Sequence, residues 1–171
     1  VEKDDYDSGN SLVKKYENLV MTRTFSKLYG LASLRLGWSY SSKYIAEIIN
    51  KVRQPFNVNS YAQLAGIEAL SDLDHEKLIV KINSENLPKL KTSLEAVGLK
   101  VLPSVANFVL VKFQDSDYSN SIYNFLISKN ILVRQVAAYN LPEHLRITVG
   151  KASEVDILLD TIEGFVKSYN G

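Results

Sequence analysis

Residues 21–38 read MTRTFSKLYGLASLRLGW, and the placement of the whole chain turns on them. Thr24, Ser26, Lys27 and Arg35 place two hydroxyls, an amine and a guanidinium within twelve residues, separated by Gly30 and by small and apolar residues. Leucines interleaved with so few charges predict a loop packed against a core, not a solvated charge run. Leu19, Val20 and Met21 begin the strand that delivers this loop, and residues 36–40 predict a second strand directly after it. Chemically, a lysine amine condenses with a carbonyl to give a Schiff base. An arginine fork and hydroxyls bind a phosphate dianion through charge-assisted and neutral hydrogen bonds. The set therefore suits a phosphorylated aldehyde, although an ordinary polar loop with a surface lysine has the same composition.

The order of residues adds more than their types. T-F-S-K, then G-L-A-S-L-R-L-G-W with its arginine eight residues after the lysine, resembles the lysine segment of fold type I pyridoxal-phosphate aminotransferases, most closely the histidinol-phosphate aminotransferase family. That resemblance implies pyridoxal 5'-phosphate as cofactor, Lys27 as the residue that binds it covalently, Ser26 and Arg35 as ligands of its phosphate, and Thr24 as a further phosphate ligand. Ser33 stands where the family usually has glycine, which bears on the local backbone more than on the chemistry.

Composition sets outer bounds. The 171 residues suffice for one domain with a core or for part of a larger protein. Twenty Lys and Arg against 19 Asp and Glu leave a net charge of +1, so no field favours nucleic acid or an acidic membrane. There are no cysteines, and His75 and His144 lack ligand spacing, so no metal site is expected. No apolar run approaches the roughly 18 residues of a membrane helix, and the polar start VEKDDYDSGN is unlike a signal peptide. The expectation is a cytoplasmic protein that binds neither nucleic acid nor membrane.

Along the chain, residues 1–11 read as a loop, with Ser11 capping a short helix to Tyr16. A helix runs from Lys43 with Tyr44, Ile45, Ile48, Ile49 and Val52 on one face, until Pro55 stops it. Ser60 caps a further helix to Leu70. Asp72 or Asp74 caps a long one carrying Leu78, Ile79, Ile82, Leu87, Leu90, Leu94 and Val97, with Gly98 as its stop. Pro88 predicts a kink or break near Asn86, because an interior proline costs about 3 kcal/mol. Residues 99–102, 107–113, 131–136 and 145–149 then read as strands, with a helix ending near Asn130. A last helix begins at Ser153, with Asp156 three residues on, and places Val155, Leu158, Leu159, Ile162, Phe165, Val166 and Tyr169 on one face. The βαββα order over helices predicts a small α/β layer domain. The fold class is thus α/β: residues 1–74 as the end of a large cofactor-binding domain with its connecting helix, and residues 75–171 as a small C-terminal domain.

A second constellation lies in that small domain. Arg134 in ILVRQV and Arg146 in HLRITVG are, on their own, ordinary strand charges. The run Y-N-L-P-E-H-L-R-I-T-V-G, however, is similar to the same family's Y-G-L-P-x-x-L-R-I-T-V-G. The similarity implies that Arg146 grips the substrate α-carboxylate with its bidentate fork and that Arg134 lies near the substrate's phosphate. Asn140 and Lys151 replace the usual glycine and threonine. S-V-A-N-F-V-L-V looks like the family's small-domain strand and implies Asn107 as a polar residue near the cleft, or else a strand-start asparagine that satisfies backbone groups. His144 reads as a surface loop residue.

The resemblance covers all 171 residues but only about the second half of a family member. It implies histidinol phosphate with glutamate and 2-oxoglutarate as substrates, histidine biosynthesis as the setting, and a homodimer. It also implies that the pyridine-stacking aromatic and the aspartate paired with the pyridine nitrogen fall before Val1, so that these residues alone do not turn over. Phosphothreonine decarboxylase and aromatic aminotransferase share the lysine and arginines and remain alternatives, as does a non-catalytic binding or dimerisation module.

Overall fold

A computed structural model describes residues 9–169, so the acidic start of the predicted N-terminal loop lies outside the described residues. The chain forms two compact units that divide between Ile79 and Val80, against the expected boundary at 74/75.

The first unit holds α1 (Gly9–Lys15), β1 (Val20–Thr24), β2 (Gly37–Ser41), α2 (Lys43–Val52), α3 (Ser60–Ser71) and the start of α4 (Leu73–Ala96). The short helix begins at Gly9, ahead of the expected cap Ser11. β1 and β2 form an antiparallel pair, with Val20 opposite Ser41 and Thr24 opposite Gly37. Asn59, not Ser60, caps α3: its Oδ1 accepts the Ala62 N–H at 2.9 Å. Asp72 caps α4 by accepting the His75 N–H at 2.9 Å. The expected apolar face of α2 exists in sequence, yet none of its residues is buried; Tyr44 is 72% exposed and Val52 76%.

α4 runs through Pro88 as one 24-residue helix, contrary to the predicted break. Proline removes one hydrogen bond, to the Ser84 carbonyl. Beyond it, Leu90 and Leu94 are fully buried, each contributing roughly 1.5–3 kcal/mol, which offsets the proline penalty of about 3 kcal/mol. Asn86 is buried as well, and its Nδ2 donates to the Gly150 carbonyl at 2.9 Å. The helix stops as predicted: Gly98 has φ +85°, its N–H reaches the Glu95 carbonyl, and the Leu99 N–H reaches Leu94.

The second unit adds β3 (Lys100–Val101), β4 (Phe108–Lys112), α5 (Ser116–Ser128), β5 (Arg134–Gln135), β6 (His144–Thr148) and α6 (Ala152–Tyr169). The strands form an antiparallel sheet in the order β3-β4-β6-β5. Val109, Val111, Leu145 and Ile147 line its buried face and pack with Leu90 and Leu94 of α4, Ile122 and Leu126 of α5, and Val155, Leu158 and Ile162 of α6. The strand expected over 131–136 shortens to two residues, because only Arg134 and Gln135 find partners on β6. α6 starts at Ala152, one residue before the expected Ser153, and Glu154 rather than Asp156 reaches back, its Oε2 accepting the Lys151 N–H at 2.7 Å. His144 is a strand residue only 5% exposed, its Nδ1 lying 3.5 Å from Glu143 Oε1, so the surface-loop expectation is corrected.

Candidate active site

In the first unit the loop 25–36 is the connection of an antiparallel hairpin. The Phe25 N–H donates to the Leu36 carbonyl at 3.1 Å and closes its mouth. Inside it, the Leu31 N–H donates to Phe25 and the Gly30 N–H to Lys27, each at 3.0 Å. Gly30 has φ +67° and Arg35 φ 56°, so the loop bends through the left-handed region on both sides of a 3-10 turn at Ala32–Leu34. Phe25 is the anchor: it is 6% exposed and packs against Tyr29 with ring centroids 4.9 Å apart. Gly66 of α3 supplies the floor, since a Cβ there would lie 2.6 Å from Leu36 Cδ2. Burial, and then the charge of Glu76, raises the Tyr29 phenol above its ordinary pKa.

All four residues predicted for this loop are therefore held by one backbone scaffold. Lys27 and Arg35 are exposed, Ser26 is half-buried, and Thr24 ends β1. Thr24 has a structural task too, its Oγ1 accepting the Ser26 N–H at 3.0 Å. Arg35 uses one Nη1 hydrogen bond, to the Ala32 carbonyl at 2.8 Å, leaving other guanidinium donors over. Residues 20–41 contain no carboxylate, and among the described residues neither Lys27 nor Arg35 forms an ion pair. Amine, hydroxyl and guanidinium on one rigid loop, unneutralised, fit an aldehyde that carries a phosphate dianion.

The second unit carries the other predicted residues. Arg134 and Arg146 are direct cross-strand partners, with Leu110 opposite Arg146 on its other side, so the three side chains share one row and one face. Arg146 lies in the middle of β6. Two like charges directly opposite each other are unfavourable, and among the described residues no carboxylate pairs with either. Arg146 Nε is buried without a hydrogen-bond partner. Asn107 precedes β4, half-buried, and its carbonyl accepts the Val149 N–H at 2.8 Å.

Two aromatics beside these arginines escaped sequence reading. Arg146 Cζ lies 5.1 Å from the centroid of the Phe108 ring, and an Arg134 Nη2 lies 3.5 Å from the Tyr139 hydroxyl. Strand register brings Phe108 to Arg146, whereas Tyr139 lies only five residues after Arg134, on the 3-10 turn Ala137–Tyr139 that follows β5.

The family profile for aminotransferase class I and II matches residues 2–162. The histidinol-phosphate aminotransferase of Rhodospirillum centenum is 42% identical over 168 residues, covering 98% of this chain and 46% of that protein. That of Roseobacter denitrificans is 45% identical over 161 residues, covering 94% and 45%. The crystal structure of histidinol-phosphate aminotransferase from Sinorhizobium meliloti in complex with pyridoxal-5'-phosphate superposes with a TM-score of 0.79 at 31% identity, over 90% of this chain and 42% of that one. The chain thus spans about half the length of the curated relatives it matches. With a profile match over nearly its whole length, on a scaffold that carries both a lysine loop and a paired-arginine strand row, the chain belongs to the aminotransferase class I and II family.

Proposed function

We propose that the protein carrying these residues is a pyridoxal-phosphate aminotransferase that acts on histidinol phosphate, with glutamate and 2-oxoglutarate as the other pair, in histidine biosynthesis. The observation that carries this reading is the facing pair Arg134 and Arg146, which no carboxylate among the described residues neutralises. Such a pair asks for a substrate anion, and a phosphate dianion can engage both forks at once. Histidinol phosphate presents its phosphate ester next to the amine-bearing carbon, where glutamate presents its α-carboxylate. One arginine row can therefore serve both half-reactions, with Arg146 gripping either anion and Arg134 adding the second charge that the phosphate needs.

Bound cofactor supplies an aldehyde and an electron-withdrawing ring. Lys27 Nζ would hold the cofactor at that aldehyde and, once freed, would move the proton between substrate Cα and the former aldehyde carbon. Ser26 and Arg35 would hold the cofactor phosphate, with Thr24 as a further ligand whose Oγ1 also accepts the Ser26 N–H. Asn107 directly precedes β4, whose first residue, Phe108, lies against Arg146, and would contribute a polar edge near the substrate. The apolar side chains exposed on α2 and α3, such as Tyr44, Tyr61 and Leu64, support burial against further protein, and we take the assembled form to be a homodimer in the cytoplasm.

A panel of amino donors tests the assignment in a full-length protein of this sequence. Preference for histidinol phosphate over phenylalanine and tyrosine, without release of carbon dioxide, is the expected result. Carbon dioxide release from phosphothreonine, or preference for the aromatic donors, would replace it with a decarboxylase or an aromatic aminotransferase. No cofactor uptake at all would leave a binding module.

A further inference from the structure

We propose that Phe108 is the positioning residue for the Arg146 fork, holding it by its ring face in place of a carboxylate. This rests on the reading of Arg146 as the substrate-anion residue. Phe108 opens β4 and pairs with Thr148, two residues along β6 from Arg146, so ring and guanidinium share one face of the sheet on a diagonal. The guanidinium carbon lies 5.1 Å from the ring centroid, within the distance at which a cation is attracted to the negative face of an aromatic ring. Arg146 Nε is buried without a hydrogen-bond partner, and among the described residues no acid pairs with the group. Directly opposite stand Leu110, which cannot orient a charge, and Arg134, which repels it.

The choice of partner matters for function. A carboxylate would orient the fork but would also neutralise it and compete with the substrate anion for the same N–H donors. A ring attracts the guanidinium through its face and leaves the in-plane donors unused, so the fork is preorganised and still fully charged. The ring itself is held, because Phe108 is half-buried at the start of β4, an inner strand of a sheet whose opposite face is the core.

The test compares Phe108→Leu, which keeps apolar bulk but removes the ring face, with Phe108→Tyr, which restores it. In the full-length enzyme loaded with pyridoxal phosphate, Phe108→Leu should raise KM for glutamate and for histidinol phosphate about tenfold, the size of a partly desolvated cation–π contact. It should change kcat no more than about twofold, because binding and not chemistry is altered. Phe108→Tyr should return KM to within about threefold of the parent value. A second readout is independent of turnover: the Arg146 Nε–H resonance, assigned by its loss in Arg146→Lys, should move in Phe108→Leu and stay near its place in Phe108→Tyr. In an Arg146→Lys background, Phe108→Leu should add no more than about a further twofold to KM. Equal KM values for the leucine and parent enzymes, or equal losses in the leucine and tyrosine variants, would overturn the proposal. If instead Arg146→Lys itself leaves both KM values unchanged, the reading of Arg146 as the anion residue fails, which is a separate result.

Discussion

Replacing Gly37 by alanine should loosen the lysine loop without touching any of its chemical groups. Gly37 is the first residue of β2 and faces Thr24, the last pair before the loop opens. A Cβ there would lie 2.8 Å from the Arg23 carbonyl oxygen, an atom of the neighbouring strand's backbone that cannot rotate away. Overpacking of this kind costs about 1–3 kcal/mol, while removing a glycine from a strand returns roughly 0.5–1 kcal/mol. The net is a loss of roughly 1 kcal/mol at the midpoint of these ranges and about 2.5 kcal/mol at most, borne by the hairpin mouth where the Phe25 N–H meets the Leu36 carbonyl. If that closure positions Lys27, Ser26 and Arg35, affinity for pyridoxal phosphate should fall by about fivefold or more, the midpoint energy expressed as a binding constant. Cofactor titration followed by absorbance reads it directly, with Gly98→Ala as a control: Gly98 has a positive φ that alanine strains, but it ends α4 and lies outside the loop. Parent-like cofactor affinity in Gly37→Ala, or an equal loss in Gly98→Ala, would refute the claim that the hairpin mouth sets the loop.

Arg146→Ala should weaken both glutamate and histidinol phosphate by roughly 2–5 kcal/mol, whereas Arg134→Ala should weaken histidinol phosphate more than glutamate; steady-state KM for each half-reaction separates them. Asn86→Ala removes the Nδ2 hydrogen bond to the Gly150 carbonyl and should destabilise the second unit by about 1–3 kcal/mol in urea unfolding. Burial, and then Tyr169, raises the Tyr118 phenol above its ordinary pKa of 10.0. Because the folded state favours the neutral phenol, that contribution should be constant below the ordinary value and disappear as pH climbs through the raised one. Phenolate absorbance during an alkaline titration, compared with Tyr118→Phe, measures it.

Signals carried by one or a few neighbouring residues were legible in the sequence. Pro55 ends α2, Asp72 caps α4 and Gly98 stops it, each acting on the backbone within a turn. The lysine loop was legible for the same reason, since Thr24, Ser26, Lys27 and Arg35 lie on one short connection. What failed depended on distant partners. Pro88 should have broken α4, but Leu90 and Leu94 find a fully buried core beyond it. His144 looked exposed because nothing near it in sequence shows that β6 runs between β4 and β5. The apolar stripe of α2 gave the helix but not whether its face is covered, because periodicity reports a face and not what covers it. Arg134 and Arg146 were each found by resemblance, yet their direct pairing, and the Phe108 ring beneath Arg146, follow only from strand register.

The central claim is that Lys27 is the amine that holds the cofactor. Borohydride reduction of the protein in the presence of pyridoxal phosphate, followed by proteolysis and mass spectrometry, tests it most directly, because reduction fixes the bound aldehyde to whichever amine carries it. The predicted result is a single stoichiometric addition on the peptide containing Lys27, with none elsewhere, and its loss in Lys27→Ala. Addition spread over surface lysines, or retained in full by Lys27→Ala, would contradict it.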